Sequence, residues 1–126
     1  MWHWAMLYAA LIVALIVFAD TTEHLGILGR IYSIRYGDKV AHFTLYGILC
    51  LLVNLSAFEA RPGVNTTLTV IVCSTILATL IGLEELSQLW LPLRHASLTD
   101  LASSLLGVAT FAWLAVRIWQ ARPRPR

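Results

Sequence analysis

Four stretches of this chain contain no Asp, Glu, Lys or Arg: residues 2–19, 40–58, 62–83 and 101–116. An α-helix rises 1.5 Å per residue, so crossing a hydrocarbon layer of about 30 Å takes about 20 predominantly apolar residues. The first three runs reach or approach that length unaided. The fourth reaches it when the helix starts near Leu98 and ends near Gln120. Backbone polar groups in lipid must be satisfied within the segment, which makes such a run a helix. The chain therefore reads as all-α, an integral membrane four-helix bundle. It forms one domain over residues 1–126, with spans at about 4–20, 38–58, 65–90 and 98–120.

Composition agrees. Of the 126 residues 59% are hydrophobic and only 13% charged, where a soluble domain carries about a quarter. The first run lacks a basic leader and ends in Asp20-Thr21-Thr22-Glu23 rather than a small-residue cleavage site, so it reads as a retained helix. Between helices 1 and 2, Ile27, Ile31 and Ile34 recur about once per turn, interleaved with Arg30 and Arg35. That pattern suits a short interfacial helix, and an irregular loop equally. Arg61-Pro62-Gly63 is a turn, and Pro92 stops helix 3. Ser97-Leu98-Thr99-Asp100 has the spacing of a capping box, with Asp for the usual Glu, and opens helix 4.

Four spans put both termini and the Arg61 turn on one side. That side holds Arg61, Arg117, Arg122, Arg124 and Arg126. The other holds Arg30, Arg35, Lys39 and Arg94. With Lys39 and Arg94 assigned to a polar site, the balance is five to two. The positive-inside rule then expects a multi-pass protein of the cell membrane with both termini cytoplasmic. The basic tail is explained by this orientation rather than by nucleic acid, which is not an expected partner; membrane lipids are. Cys50 and Cys73 fall inside spans and read as small packing residues. No metal-ligand spacing, phosphate loop or cofactor motif is present, so neither a metal nor a cofactor is expected.

Function is concentrated in three polar clusters, because ionisable groups in or beside hydrocarbon are costly to retain. Asp38, His42 and Tyr46 follow each other at i, i+4, i+8, a single stripe of helix 2. His42 lies about 6 Å and Tyr46 about 12 Å along the axis from Asp38. Glu84, Glu85 and Gln88 close helix 3. Two successive residues point about 100° apart, so one carboxylate faces inward, where Gln88 is expected to bond it. Arg94 precedes helix 4, and Asp100, Ser104 and Gly107 share one of its faces. Helix 2 starts where helix 3 ends and helix 4 starts, so all three clusters meet near one surface, the outer one in this orientation.

Lys39 and Arg94 stand against Asp38, Glu84, Glu85 and Asp100, a net charge of −2 with His42 neutral. A simple anion trap would be positive. Internal ion pairs, a proton shared between carboxylates or a cationic ligand fit that balance better. At least one of Lys39 and Arg94 is expected within salt-bridge reach of Glu85 or Asp100. The candidate binding residues are Asp38, Lys39, His42, Tyr46, Glu84, Glu85, Gln88, Arg94, Asp100 and Ser104, with His42 and Glu85 the candidates for acid–base work.

Asp38-Lys39-x-x-His42-Phe43-x-x-Tyr46 resembles the first signature of VanZ-like membrane proteins. Glu85-x-x-Gln88, Pro92-x-Arg94, Asp100 and Gly107 resemble the second in order and spacing. The similarity covers residues 37–107. It departs at Ser104, where the family usually has Asn or Asp; Ser104 can hydrogen-bond but carries no charge. The family is named for a protein giving low-level teicoplanin resistance. The resemblance implies a multi-span envelope protein whose signature positions are Lys39, His42, Glu85, Gln88, Arg94 and Asp100. The expected function is to bind or shield an amphiphilic envelope ligand, a lipid or a lipoglycopeptide, with a role in the cell envelope or in antibiotic resistance. The alternatives are a membrane-embedded enzyme acting on a lipid head group, a proton-coupled transporter, and a purely structural polar network.

Overall fold

The computed structural model describes residues 2–21, 37–90 and 97–123, apart from the side chains of residues 15–21 and Asp38. The anticipated interfacial segment and Arg94 lie outside the described residues. Among the described residues four α-helices follow in order: α1 (Trp2–Thr21), α2 (Gly37–Ala60), α3 (Thr66–Ser87) and α4 (Leu98–Ala121). A 3₁₀ turn, Gln88–Trp90, extends α3. Among the described residues there is no strand. Each helix lies within a few residues of its expected span.

Three of them, over Lys39–Ala60, Thr66–Trp90 and Leu98–Ala121, are long and apolar enough to cross a membrane, and the chain is a membrane protein on that ground. Within α1 the apolar stretch over described side chains, Trp2–Ala14, is shorter. The whole helix has 20 residues.

The bundle is built on α2 and α4, which are not neighbours in the chain. The buried residues of α4 are all short: Ser104, Gly107, Val108, Ala112 and Ala115. Short side chains let two helix backbones approach closely, the usual basis of packing where lipid is as apolar as the core. Gly107 marks the closest approach. A Cβ there would fall on the Phe43 carbonyl oxygen and stand 3.0 Å from Phe43 Cα. One turn along, a Cβ on Gly47 would meet the Phe111 ring, which already sits edge-on to Phe43 at 5.9 Å.

In α2, His42, Tyr46, Cys50, Asn54 and Phe58 are all buried, a stripe of period four. Helix α3 packs on α2 and α4 along a narrow line, Leu77, Ile81 and Glu85. Its opposite face, including Leu68, Ile71, Ile76, Leu80 and Leu83, is exposed on the outside. In a membrane that face meets lipid. Exposed hydroxyls are silenced locally: on α3, Thr79 donates to the Thr75 carbonyl at 2.8 Å, and on α4, Thr110 donates to the Leu106 carbonyl at 2.8 Å. Helix α1 packs on α2, where Ile12 joins the core.

Turn chemistry follows the sequence. The Val64 amide donates to the Arg61 carbonyl at 3.1 Å across Pro62-Gly63. Asn65 caps α3, its side-chain oxygen accepting from Thr67 N at 2.8 Å and Leu68 N at 3.4 Å.

Candidate functional site

Helix α2 brings Lys39, His42 and Tyr46 to the end of the bundle where α3 stops and α4 begins. Ser97 caps α4, its hydroxyl accepting from Asp100 N at 3.3 Å. The other half of the expected capping box is built differently. Ser97 N donates to Glu85 Oε1 at 2.5 Å, across from α3. The shorter Asp100 is left to face α2, where its Oδ1 lies 3.5 Å from Lys39 Nζ. The pairing anticipated for Lys39 is thus present. That ion pair is half-buried, and Asp100 Oδ1 is a buried atom with no hydrogen bond. Proximity without alignment gives Coulomb attraction but leaves the lone pair unused.

His42 is buried and contacts Ser104, which is almost wholly enclosed. Its Nδ1 lies 3.2 Å from Ser104 Oγ, while the Ser104 hydroxyl donates to the Asp100 carbonyl at 3.0 Å. A hydroxyl has one proton, and here it points at Asp100. Ser104 Oγ must therefore accept from Nδ1–H, and a neutral His42 carries its lone pair on Nε2. Ser104 thus sets the imidazole tautomer.

One turn deeper, the Tyr46 ring lies 5.9 Å from His42. Tyr46 OH donates to Glu84 Oε2 at 3.3 Å, and Gln88 Nε2 donates to Glu84 Oε1 at 2.6 Å. This corrects the expectation that Gln88 serves the inward carboxylate. Glu85 is the inward one, at 6% exposure, but Gln88 bonds Glu84. Residues i and i+4 stand one above the other on a helix, and Ser97 N already occupies Glu85. His42 and Glu85, the two acid–base candidates, share no hydrogen bond; each is held by a residue at the start of α4.

The structure thus gathers Lys39, His42, Tyr46, Glu84, Glu85, Gln88, Asp100 and Ser104 at one end. Among the described residues no cation lies within salt-bridge range of Glu84 or Glu85. One ammonium against three carboxylates leaves −2 with His42 neutral. Among the described residues no group of three or more His, Cys, Asp or Glu is placed to hold a metal ion. Asp38 (side chain) and Arg94 lie outside the described residues.

Sequence reasoning missed a second polar node deeper in the bundle. Asn54 is fully buried. Its amide donates to the Cys50 carbonyl at 2.9 Å, and its Nδ2 lies 3.2 Å from Cys50 Sγ and 3.4 Å from Ser74 Oγ. The Cys50 thiol donates in turn to the Val108 carbonyl at 3.4 Å. Cys50 packs as expected but also links α2 to α4. The available signal was Asn54 itself, a polar side chain within a span. No protein-family model, curated protein or solved structure matches this chain.

Proposed function

We propose that this protein is a VanZ-like integral membrane protein whose polar end, near the outer face of the cell membrane, binds or shields the head group of an amphiphilic envelope molecule, a lipid or a lipoglycopeptide. The observation that supports this reading is the excess of hydrogen-bond acceptors at the meeting point of α2, α3 and α4. Glu84 and Glu85 have no described cationic partner, Asp100 Oδ1 is ion-paired with Lys39 but accepts no hydrogen bond, and His42 offers a lone pair. Such a set suits a head group that brings donors and positive charge, such as an amine. Helix α1, with 20 residues, is taken as the fourth span, and the arginine-rich turn and tail support an orientation with both termini in the cytoplasm. The order and spacing of the VanZ-like signature residues add an envelope role.

The test uses two conservative variants in cells challenged with envelope stress, teicoplanin included. Arg94→Lys keeps charge but loses the planar fork that grips two oxygens at once. His42→Gln keeps hydrogen bonding but takes no proton. Binding predicts loss in Arg94→Lys with His42→Gln retained. Loss in both, together with a covalent lipid species that disappears in His42→Ala, identifies an enzyme instead. Full activity in both at normal expression refutes a functional site.

A further inference from the structure

At the end of the bundle away from the polar cluster, the start of α1, the end of α2 and the start of α3 enclose a groove of about 310 Å³. That is the low end of the range of about 300–1,000 Å³ for pockets that take a small molecule. Its walls include Trp2, Ala57, Leu68, Val72 and Cys73, and Arg61 stands among them as the charged member. Arg61 is exposed, and among the described residues no carboxylate pairs with it. Its neighbours at this end differ. Arg122 bonds Glu59 at 2.9 Å and lies 4.9 Å from the Trp119 ring centre. Arg117 lies 5.7 Å from that of Trp113.

An apolar groove on a membrane-spanning bundle gives water no partners and opens onto lipid. From this geometry we infer that the groove seats one acyl chain of an anionic phospholipid, with the lipid phosphate on Arg61. Charge complementarity selects the lipid class. Arg61, Arg117 and Arg122 against Glu59 leave +2 at this end, which favours a head group with net negative charge over one whose phosphate is already neutralised by its own ammonium. The guanidinium fork matches two phosphate oxygens. The N-terminus of α3 adds the positive end of its dipole on the same side. This site is independent of the polar cluster and of the function proposed for it.

The test is native mass spectrometry of the full chain in detergent, titrated with phosphatidylglycerol or phosphatidylcholine of identical acyl chains. One phosphatidylglycerol should be retained with a preference of about tenfold, the size expected of one charge-assisted hydrogen-bonding contact. Arg61→Gln should abolish the preference, weakening phosphatidylglycerol binding more than phosphatidylcholine binding. Val72→Phe, which fills the groove, should weaken both lipids. In the wild type, phosphatidylglycerol should slow maleimide labelling of Cys73, a readout that does not depend on the folding of any variant. Equal retention of the two lipids, a preference that survives Arg61→Gln, or Cys73 labelling unmoved by phosphatidylglycerol would overturn the site. So would inorganic phosphate displacing the lipid while Val72→Phe leaves its binding intact.

Discussion

Glu85 and Glu59 are both carboxylates with a defined partner, yet their removal should be felt very differently. Glu85 is buried and holds the Ser97 amide; Glu85→Ala leaves that donor without its acceptor, a loss of about 1–3 kcal/mol. Glu59 pairs with Arg122 in the open, where an ion pair contributes about 0–1 kcal/mol. Thermal unfolding in detergent should show a clearly lower midpoint for Glu85→Ala than for Glu59→Ala, and equal midpoints would contradict the buried link. Ser104→Ala tests a subtler claim. With the hydroxyl gone, Nδ1 of His42 loses its acceptor, so imidazole ¹⁵N shifts should move from a single Nδ1–H form to a mixture of tautomers. Unchanged shifts would mean that Ser104 does not set the proton's position.

At the scale of the element, the α2–α4 contact is the joint on which the bundle depends. Gly107→Ala places a methyl against the Phe43 backbone, and backbone cannot swing aside as a flexible side chain can. The cost should be roughly 1–3 kcal/mol, as for overpacking elsewhere. Gly82→Ala is the matched control, because nothing lies within 4 Å of a Cβ there. It should be neutral or gain about 0.4–1 kcal/mol from lost freedom in the unfolded chain. Comparable destabilisation by both would show that helix propensity, not close approach, governs these sites. The helices themselves were legible because charge-free runs, Pro62-Gly63 and the Ser97 cap are local signals. The i+4 stripe in α2 was legible for the same reason. The exchange in which Glu85 takes Ser97 N was not: it depends on how far two helix ends stand apart, and no spacing within one segment encodes that. Asn54 was overlooked for a related reason, since its use lies in Ser74 and in the Cys50 it shares with Val108.

For the whole molecule, orientation is the outstanding prediction. Water-soluble thiol reagents should label Ser33→Cys in intact cells and Gly63→Cys only after permeabilisation, the native cysteines lying inside spans. The reverse pattern would invert the protein in the membrane. The pairing of α2 with α4 also sets an order of events during synthesis. His42 enters the membrane with α2, but its partner Ser104 is 62 residues further along the chain. At a translation rate of about 5–20 residues per second, the imidazole waits about 3–12 s for its acceptor. A nascent chain that stalls in that interval holds an unpaired polar group in lipid and a core with one wall missing. Chains halted before Ser97 should be marked for degradation while full-length chains persist, and a pulse-chase series of truncations would time that transition to the emergence of α4.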